Sequence, residues 1–306
     1  MSFDTLIEKI ALKKNPTVMG LDPVLDYVPE DIKARAVSEY GKTFKAAGEA
    51  IFEFNKGLID AAADLVPAVK PQSAFYEMYG VEGMIALEKT IAYAKEAGLY
   101  VILDVKRGDI GSTAEAYAKA FLGKTDLFGE EAEASPVDCV TVNPYLGIDG
   151  VKPFIDVCTQ GDKAVFILVK TSNKSSGDFQ DIAADGSTLY SRVAAKVDEW
   201  GASTITAKGY SALGAVVGAT YPRQITEARR LMPYTFFLIP GYGAQGGTAK
   251  DVVGAFDRNG SGAIINSSRA LMCAYMKAGD DGRKFKDHTR EAVIKMRGEL
   301  NDAAGL

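Results

Sequence analysis

The chain has a single histidine in 306 residues, and that scarcity removes more chemistry than any one motif adds. His288 lies in RKFKDHTREAVIKM, a charged stretch of helical period near the C-terminus, and is expected to face solvent. Histidine-based triads, histidine zinc sites and HExxH proteases therefore lose their central residue. Cysteine is nearly as scarce. Cys139, Cys158 and Cys273 are odd in number and widely spaced, which fits neither a disulfide framework nor a zinc site. They read as small buried hydrophobes, and a reducing cytoplasm is the expected compartment.

Positive charge is not in excess. With 35 Lys and Arg against 40 Asp and Glu, a formal net charge of -5 and a pI near 5.2, the surface has no general basic field for nucleic acid or an anionic membrane. Any anionic ligand must meet a local positive site. Long apolar runs are missing as well. The longest clear one, AVFILV at 164–169, is far short of a membrane span. The opening MSFDTLIEKIALKKNP has acids inside it and no uninterrupted apolar core, so it does not read as a signal peptide. Catalysis, if present, must run on carboxylates, amines, hydroxyls and backbone dipoles.

What the sequence does have is alternation. Eight short runs rich in Val, Ile and Phe read as strands: TVMGLD (17–22), AVKPQ (68–72), YVILDVK (100–106), CVTVNP (139–144), AVFILVKT (164–171), GAVVGAT (214–220), FFLIPG (236–241) and GAIINSS (262–268). Between them lie segments such as EGMIALEKTIAYAKEAG and STLYSRVAAKVDEWG, apolar at helical spacing with Gly near their ends. Eight strand-helix units with nearly continuous apolar strands predict a parallel sheet covered by helices, closing into an α/β (β/α)8 TIM barrel. A doubly wound sheet fits the same alternation. No linker divides residues 1–306, which are expected to form one domain. The least regular segment, TSNKSSGDFQDIAADG (171–186), follows a strand and reads either as a lid on the C-terminal face or as a plain surface loop.

On a barrel the polar strand ends become informative. Asp22 ends the first strand, Lys70 lies in the second, and Asp104 and Lys106 share parity at the end of the third. One such charge is ordinarily a solvated rim residue or a helix cap. Four together, of both signs, point to a cleft in which carboxylates keep a lysine protonated. Arg107, of opposite parity, reads as a structural partner of a nearby acid, and Asn143 as a candidate lining of the barrel mouth. Trp200, Tyr76, Tyr79 and Tyr117 show no basic interleaving and read as packing residues.

GYGAQG, at 241–246, formally matches GxGxxG. A dinucleotide site also needs an acid after the next strand, and that strand ends instead in Ser267, Ser268 and Arg269. In a barrel, backbone amides after strands seven and eight form a phosphate site, to which Gln245 adds an amide and Arg269 a guanidinium. A phosphorylated small-molecule substrate follows.

Seven stretches in order carry a resemblance: VMGLDP (18–23), VKPQSAFYE (69–77), LDVKRGDIGSTA (103–114), TVNPYLG (141–147), KTSNKSSGDFQD (170–181), GATYP (218–222) and PGYGAQGG (240–247). They are similar to the orotidine 5'-phosphate decarboxylases, in their longer bacterial form. The DxKxxD motif at 104–109 is the most specific element, although related sugar-phosphate barrels share it. The resemblance implies conversion of orotidine 5'-phosphate to UMP and CO2 in pyrimidine synthesis, with no cofactor and no metal. It implies a catalytic network of Lys70, Asp104, Lys106 and Asp109, with Lys106 stabilising and protonating the ring carbanion. It further implies that Asp22 binds ribose hydroxyls, Ser172 the pyrimidine, and Gln245 with Arg269 the phosphate. Asp109 and Thr113 would reach the partner's site in a homodimer. Two rivals remain: a sugar-phosphate barrel using a metal-stabilised enediolate, and a nucleotide-binding barrel without chemistry.

Overall fold

Packing of the strands has one solution that leaves no open edge. In the computed structural model, which describes residues 2–305, eight parallel strands close on themselves. They are β1 (Thr17–Leu21), β2 (Ala68–Pro71), β3 (Tyr100–Arg107), β4 (Cys139–Val142), β5 (Ala164–Lys170), β6 (Leu213–Val217), β7 (Phe237–Ile239) and β8 (Ala263–Ser267). Each pairs with its sequence neighbours, and β1 pairs with β8, through Thr17 opposite Ile265, and with β2. The barrel excludes the doubly wound alternative. Two short antiparallel ladders, Thr125–Leu127 with Glu130–Ala132 and Ala183–Ala184 with Ser187–Thr188, were not anticipated, because two or three residues carry no readable period.

Alternation along the strands sorts side chains into two cores. Outward residues such as Val69, Val101 and Ile167 meet the surrounding helices, and helix Phe44–Ala62 buries Ile51, Phe54 and Leu58 in that layer. Thr43 caps this helix by accepting from the Ala46 amide at 3.2 Å. Inward residues Val18, Ala68, Tyr100, Ile102, Cys139 and Phe166 fill the barrel. The bottom is plugged from outside the strand repeat. Helix Ser2–Lys13 sends Phe3 and Leu6 into that inner core, where Phe3 stacks on Phe236 with ring centres 5.3 Å apart and tilts against Phe166 at 4.9 Å. Aromatic pairs of this kind add about 0.5–1.5 kcal/mol beyond burial. The floor is thus apolar, and the polar inward residues are left to the C-terminal rim.

His288 is half-buried in helix Phe285–Ala304, not solvent-facing as its charged neighbourhood suggested, with its ring 3.9 Å from carboxylates of Asp280 and Glu291. Cys139 and Cys158 are buried as expected, and Cys273 is partly so. Among the described residues no helix is long and apolar enough to cross a membrane.

Candidate active site

The C-terminal mouth of the barrel opens into a cavity of about 650 Å³, whose lining includes Asp22, Lys70, Asp104, Lys106, Ser172, Gln245 and Arg269. Leu168, Val216 and Leu238 add apolar wall. Seven of the nine site residues expected from sequence therefore converge on one space.

Its centre is Asp104. One carboxylate oxygen accepts Lys70 Nζ at 2.8 Å and the other accepts Lys106 Nζ at 2.7 Å. The two lysines differ in access. The Lys70 side chain is 5% exposed and that of Asp104 8%, whereas Lys106 is 45% exposed and presents its amine to the cavity. Burial pulls the Lys70 pKa down, but the nearby charges of Asp104 and Asp22 and the hydrogen bond to Asp104 outweigh it and raise the amine above its ordinary value. Burial likewise opposes ionisation of Asp104, and the two lysines outweigh it, holding that carboxyl well below the usual carboxylate range.

Backbone geometry aims Lys106. Opposite Leu103 stands Val140, and opposite Arg107 stands Val142, so β3 carries two residues more than β4 across that interval. Within the bulge Lys106 has φ +46°, a left-handed conformation that costs a side-chained residue roughly 1–3 kcal/mol. Thr141, on the inward face of β4, supports it twice. Its Oγ accepts the Lys106 amide at 2.9 Å and donates to Asp104 at 2.7 Å. Thr141 was missed from sequence; its parity with Cys139 on an adjacent strand was the available signal.

On the β1 and β8 side of the mouth, Asp22 Oδ1 and Asn266 Oδ1 are buried acceptors without a protein partner, and both residues line the cavity. Asn266 was also missed. The glycine loop behaves differently from expectation. The amides of Gly243, Ala244, Gly246 and Gly247 donate to carbonyls within the loop, at 2.9, 3.0, 2.9 and 3.1 Å. Those four amides are therefore committed within the loop, and Gln245 and Arg269, whose side chains are donors, line the cavity there. The glycines serve the turn itself: Gly241 at φ +100° and Gly243 at φ +74° occupy conformations that other residues avoid.

Asp109 and Thr113 do not join the cavity of their own chain. Asp109 is half-buried and its carboxylate accepts the Ile110 amide at 2.8 Å, while Thr113 is exposed on helix Gly111–Phe121. Asn143 is exposed and faces a neighbouring groove with Tyr145 and Trp200, so it does not line the barrel mouth. Arg107 pairs with Glu77 at 2.6 Å, in agreement with its structural reading. Segment 171–186 is ordered by bonds at its base: buried Lys170 to Asp181 at 2.8 Å, and the Thr171 amide to Gln180 at 2.9 Å. Among the described residues no group of three or more His, Cys, Asp or Glu side chains is arranged to hold a metal ion.

A closed α/β barrel with a Lys-Asp-Lys cluster, and with Gln245 and Arg269 lining the same cavity at its C-terminal mouth, has the architecture of barrel enzymes that bind small molecules at that face. Comparison narrows the class. Residues 52–280 match the model of the orotidine 5'-phosphate decarboxylase / HUMPS family. The orotidine 5'-phosphate decarboxylase of Rhodopirellula baltica is 45% identical over 307 residues, covering 98% of this chain and 99% of that protein. Its Clostridium acetobutylicum counterpart is 41% identical over 301 residues, covering 98% and 99%. The structure of Leishmania donovani OMP decarboxylase superposes with a TM-score of 0.71 at 32% identity, covering 97% of this chain and 98% of that one. The chain belongs to the orotidine 5'-phosphate decarboxylase family.

Proposed function

We propose that this carboxy-lyase of pyrimidine biosynthesis converts orotidine 5'-phosphate to UMP and CO2 by direct decarboxylation, without metal or coenzyme, and that it does so in the cytoplasm. The observation that carries the reading is the half-exposed Lys106 amine held on a carboxylate that is itself buried and shared with Lys70. When the bond between the ring carbon and its carboxylate breaks, the electron pair stays on the ring carbon. An ammonium already positioned there stabilises the developing charge and then transfers its proton to that carbon, leaving a neutral amine. Asp104 stands beside Lys106 and repels the substrate carboxylate until CO2 departs.

The remaining assignments follow the donors and acceptors at hand. Asp22, with an unpartnered buried oxygen, suits the ribose hydroxyls. Gln245 and Arg269 supply donors for the phosphate, and Ser172 a hydroxyl for the pyrimidine. Binding energy from the phosphate, remote from the chemistry, is available to close segment 171–186 as a lid on that side. Asp109 and Thr113 complete the site of a second subunit. An apolar surface around them supports a homodimer: Ile110, Leu146 and Ile148 are exposed, and the helices Gly111–Phe121 and Ile148–Gln160 that follow these loops pack side by side.

The test is turnover of orotidine 5'-phosphate in EDTA, followed by ultraviolet absorbance, with Lys106→Ala in parallel. Turnover that EDTA abolishes removes the metal-free mechanism. No turnover by the parent protein removes the proposal, and turnover surviving in Lys106→Ala removes the proton-donor role.

A further inference from the structure

Lys106 occupies a strained backbone conformation, and on the side toward β4 it is supported by Thr141, with the carbonyl of the next residue, Arg107, accepting the Asn143 amide at 2.8 Å. On the side toward β2 there is a second support, built from residues to which the reaction assigns nothing. The Ser73 amide donates to the Asp104 carbonyl at 3.2 Å, and Gln72 bridges to Asp104 in parallel register. Four residues on, Glu77 accepts from Ser73 Oγ and from Arg107 Nη2, the latter at 2.6 Å. The same Arg107 donates from Nη1 to the carbonyl of Val105 at 3.0 Å. Its guanidinium lies 5.8 Å from the Tyr117 ring centre and 5.2 Å from that of Phe121.

These contacts form a bracket. It leaves β3 at Asp104, runs through Ser73 and Glu77, and returns at Arg107, so it spans the two residues between, Val105 and Lys106. We infer that Glu77 and Arg107 are positioning residues for Lys106, holding the bulge of β3 in the left-handed turn that keeps the Lys106 amine on Asp104 and in the cavity. A fork held by one carboxylate, one carbonyl and two aromatic rings resists rotation, which a single flexible contact does not. Hydrogen bonds from Ser73 and Arg107 also hold the Glu77 carboxyl below its ordinary pKa, so the pair stays charged through the neutral range. The inference rests on the proposed role of Lys106.

The experiment compares Glu77→Gln, Arg107→Met and their double variant with the parent, and uses Arg107→Lys as the conservative control. A misplaced reacting group costs up to about a hundredfold in rate. Each single variant is therefore expected to lose roughly ten- to a hundredfold in kcat, with KM for orotidine 5'-phosphate and affinity for UMP little changed. The double variant should be no slower than the slower single one, because both break one bracket. Arg107→Lys keeps the charge but not the fork and should fall between parent and Arg107→Met. A crystal structure of Glu77→Gln should show residue 106 out of the left-handed region or its amine off Asp104. Parent-like kcat in both single variants overturns the inference. So do additive losses, losses of kcat matched by loss of UMP affinity and thermal stability, or a slow Glu77→Gln enzyme whose residue 106 is unmoved. Should the parent leave orotidine 5'-phosphate untouched, the proposed function fails, while the crystallographic comparison still decides the bracket.

Discussion

Thr141 donates its hydroxyl hydrogen to the same Asp104 oxygen, Oδ1, that receives the Lys106 amine, both at 2.7 Å. It also accepts the Lys106 amide, so one hydroxyl ties the carboxylate to the backbone of the residue it pairs with. Thr141→Val keeps the shape and removes both bonds. Leaving a buried polar group unpaired costs about 1–3 kcal/mol, and urea denaturation should record a loss of that size. Turnover of orotidine 5'-phosphate should fall by roughly tenfold through the loosened amine. Thr141→Ser, which retains the hydroxyl, should recover most of both.

Acid stability should depend on Asp104. A carboxyl whose native pKa lies below its unfolded value stabilises the fold fully above the unfolded pKa, about 4, and loses that contribution as pH falls toward the native pKa. Asp104 is such a group: burial opposes its charge, and Lys70 and Lys106 more than compensate. Unfolding free energy of the parent should therefore decline below about pH 4 more steeply than that of Asp104→Asn, which takes up no proton there. The variant should be less stable at neutral pH, since it strands two ammonium groups. Urea midpoints across a pH series decide it, and equal acid limbs would refute it. Lys70 acts in the opposite direction. Its raised pKa gives a contribution complete below about 10.4 that is lost as pH rises through the native value.

Lys170 and Asp181 should respond unequally to removal of a partner. The lysine is wholly buried, 4.9 Å from the Tyr221 ring centre and 5.7 Å from that of Tyr190, while the Asp181 side chain is 39% exposed. Asp181→Ala leaves a buried cation uncompensated and should cost about 2–4 kcal/mol, below the figure for a fully enclosed pair. Lys170→Met leaves only a partly solvated acid and should cost less. Thermal unfolding of the two variants gives the order directly.

Hybrid dimers test the assignment of Asp109 to the neighbouring site. Lys106→Ala and Asp109→Ala homodimers should each be nearly inactive. Mixed by refolding, half of the dimers are hybrids, and each hybrid carries one site with both residues intact. About a quarter of the parent activity should return. No recovery on mixing would mean that Asp109 does not serve a second subunit.

Much of this was legible before any coordinates. Eight apolar runs marked all eight barrel strands to within about three residues, because a strand buried on both faces must be continuously apolar and its helix must change period. The charges at the ends of β1, β2 and β3 marked the cavity at the C-terminal mouth, where Asp22, Lys70, Asp104 and Lys106 meet. The glycine loop was located correctly, but its internal bonding was not legible. Four of its amides bond to its own carbonyls, a choice made by three-dimensional turn geometry that GYGAQG does not spell out. Asn143 likewise has a parity that allowed the mouth, and the path of the chain beyond β4 carried it to a different groove.

Composition and period, then, determined which residues are charged, which are apolar and how often the chain reverses, since those are properties of residues and their spacing. Only the tertiary structure decided which partners those charges take. The bonds from Lys70 and Thr141 to Asp104, from the Lys106 amide to Thr141 and from Arg107 to Glu77 each join residues 30 or more apart. Contacts at that separation exist only once the barrel has closed and brought the strand ends together.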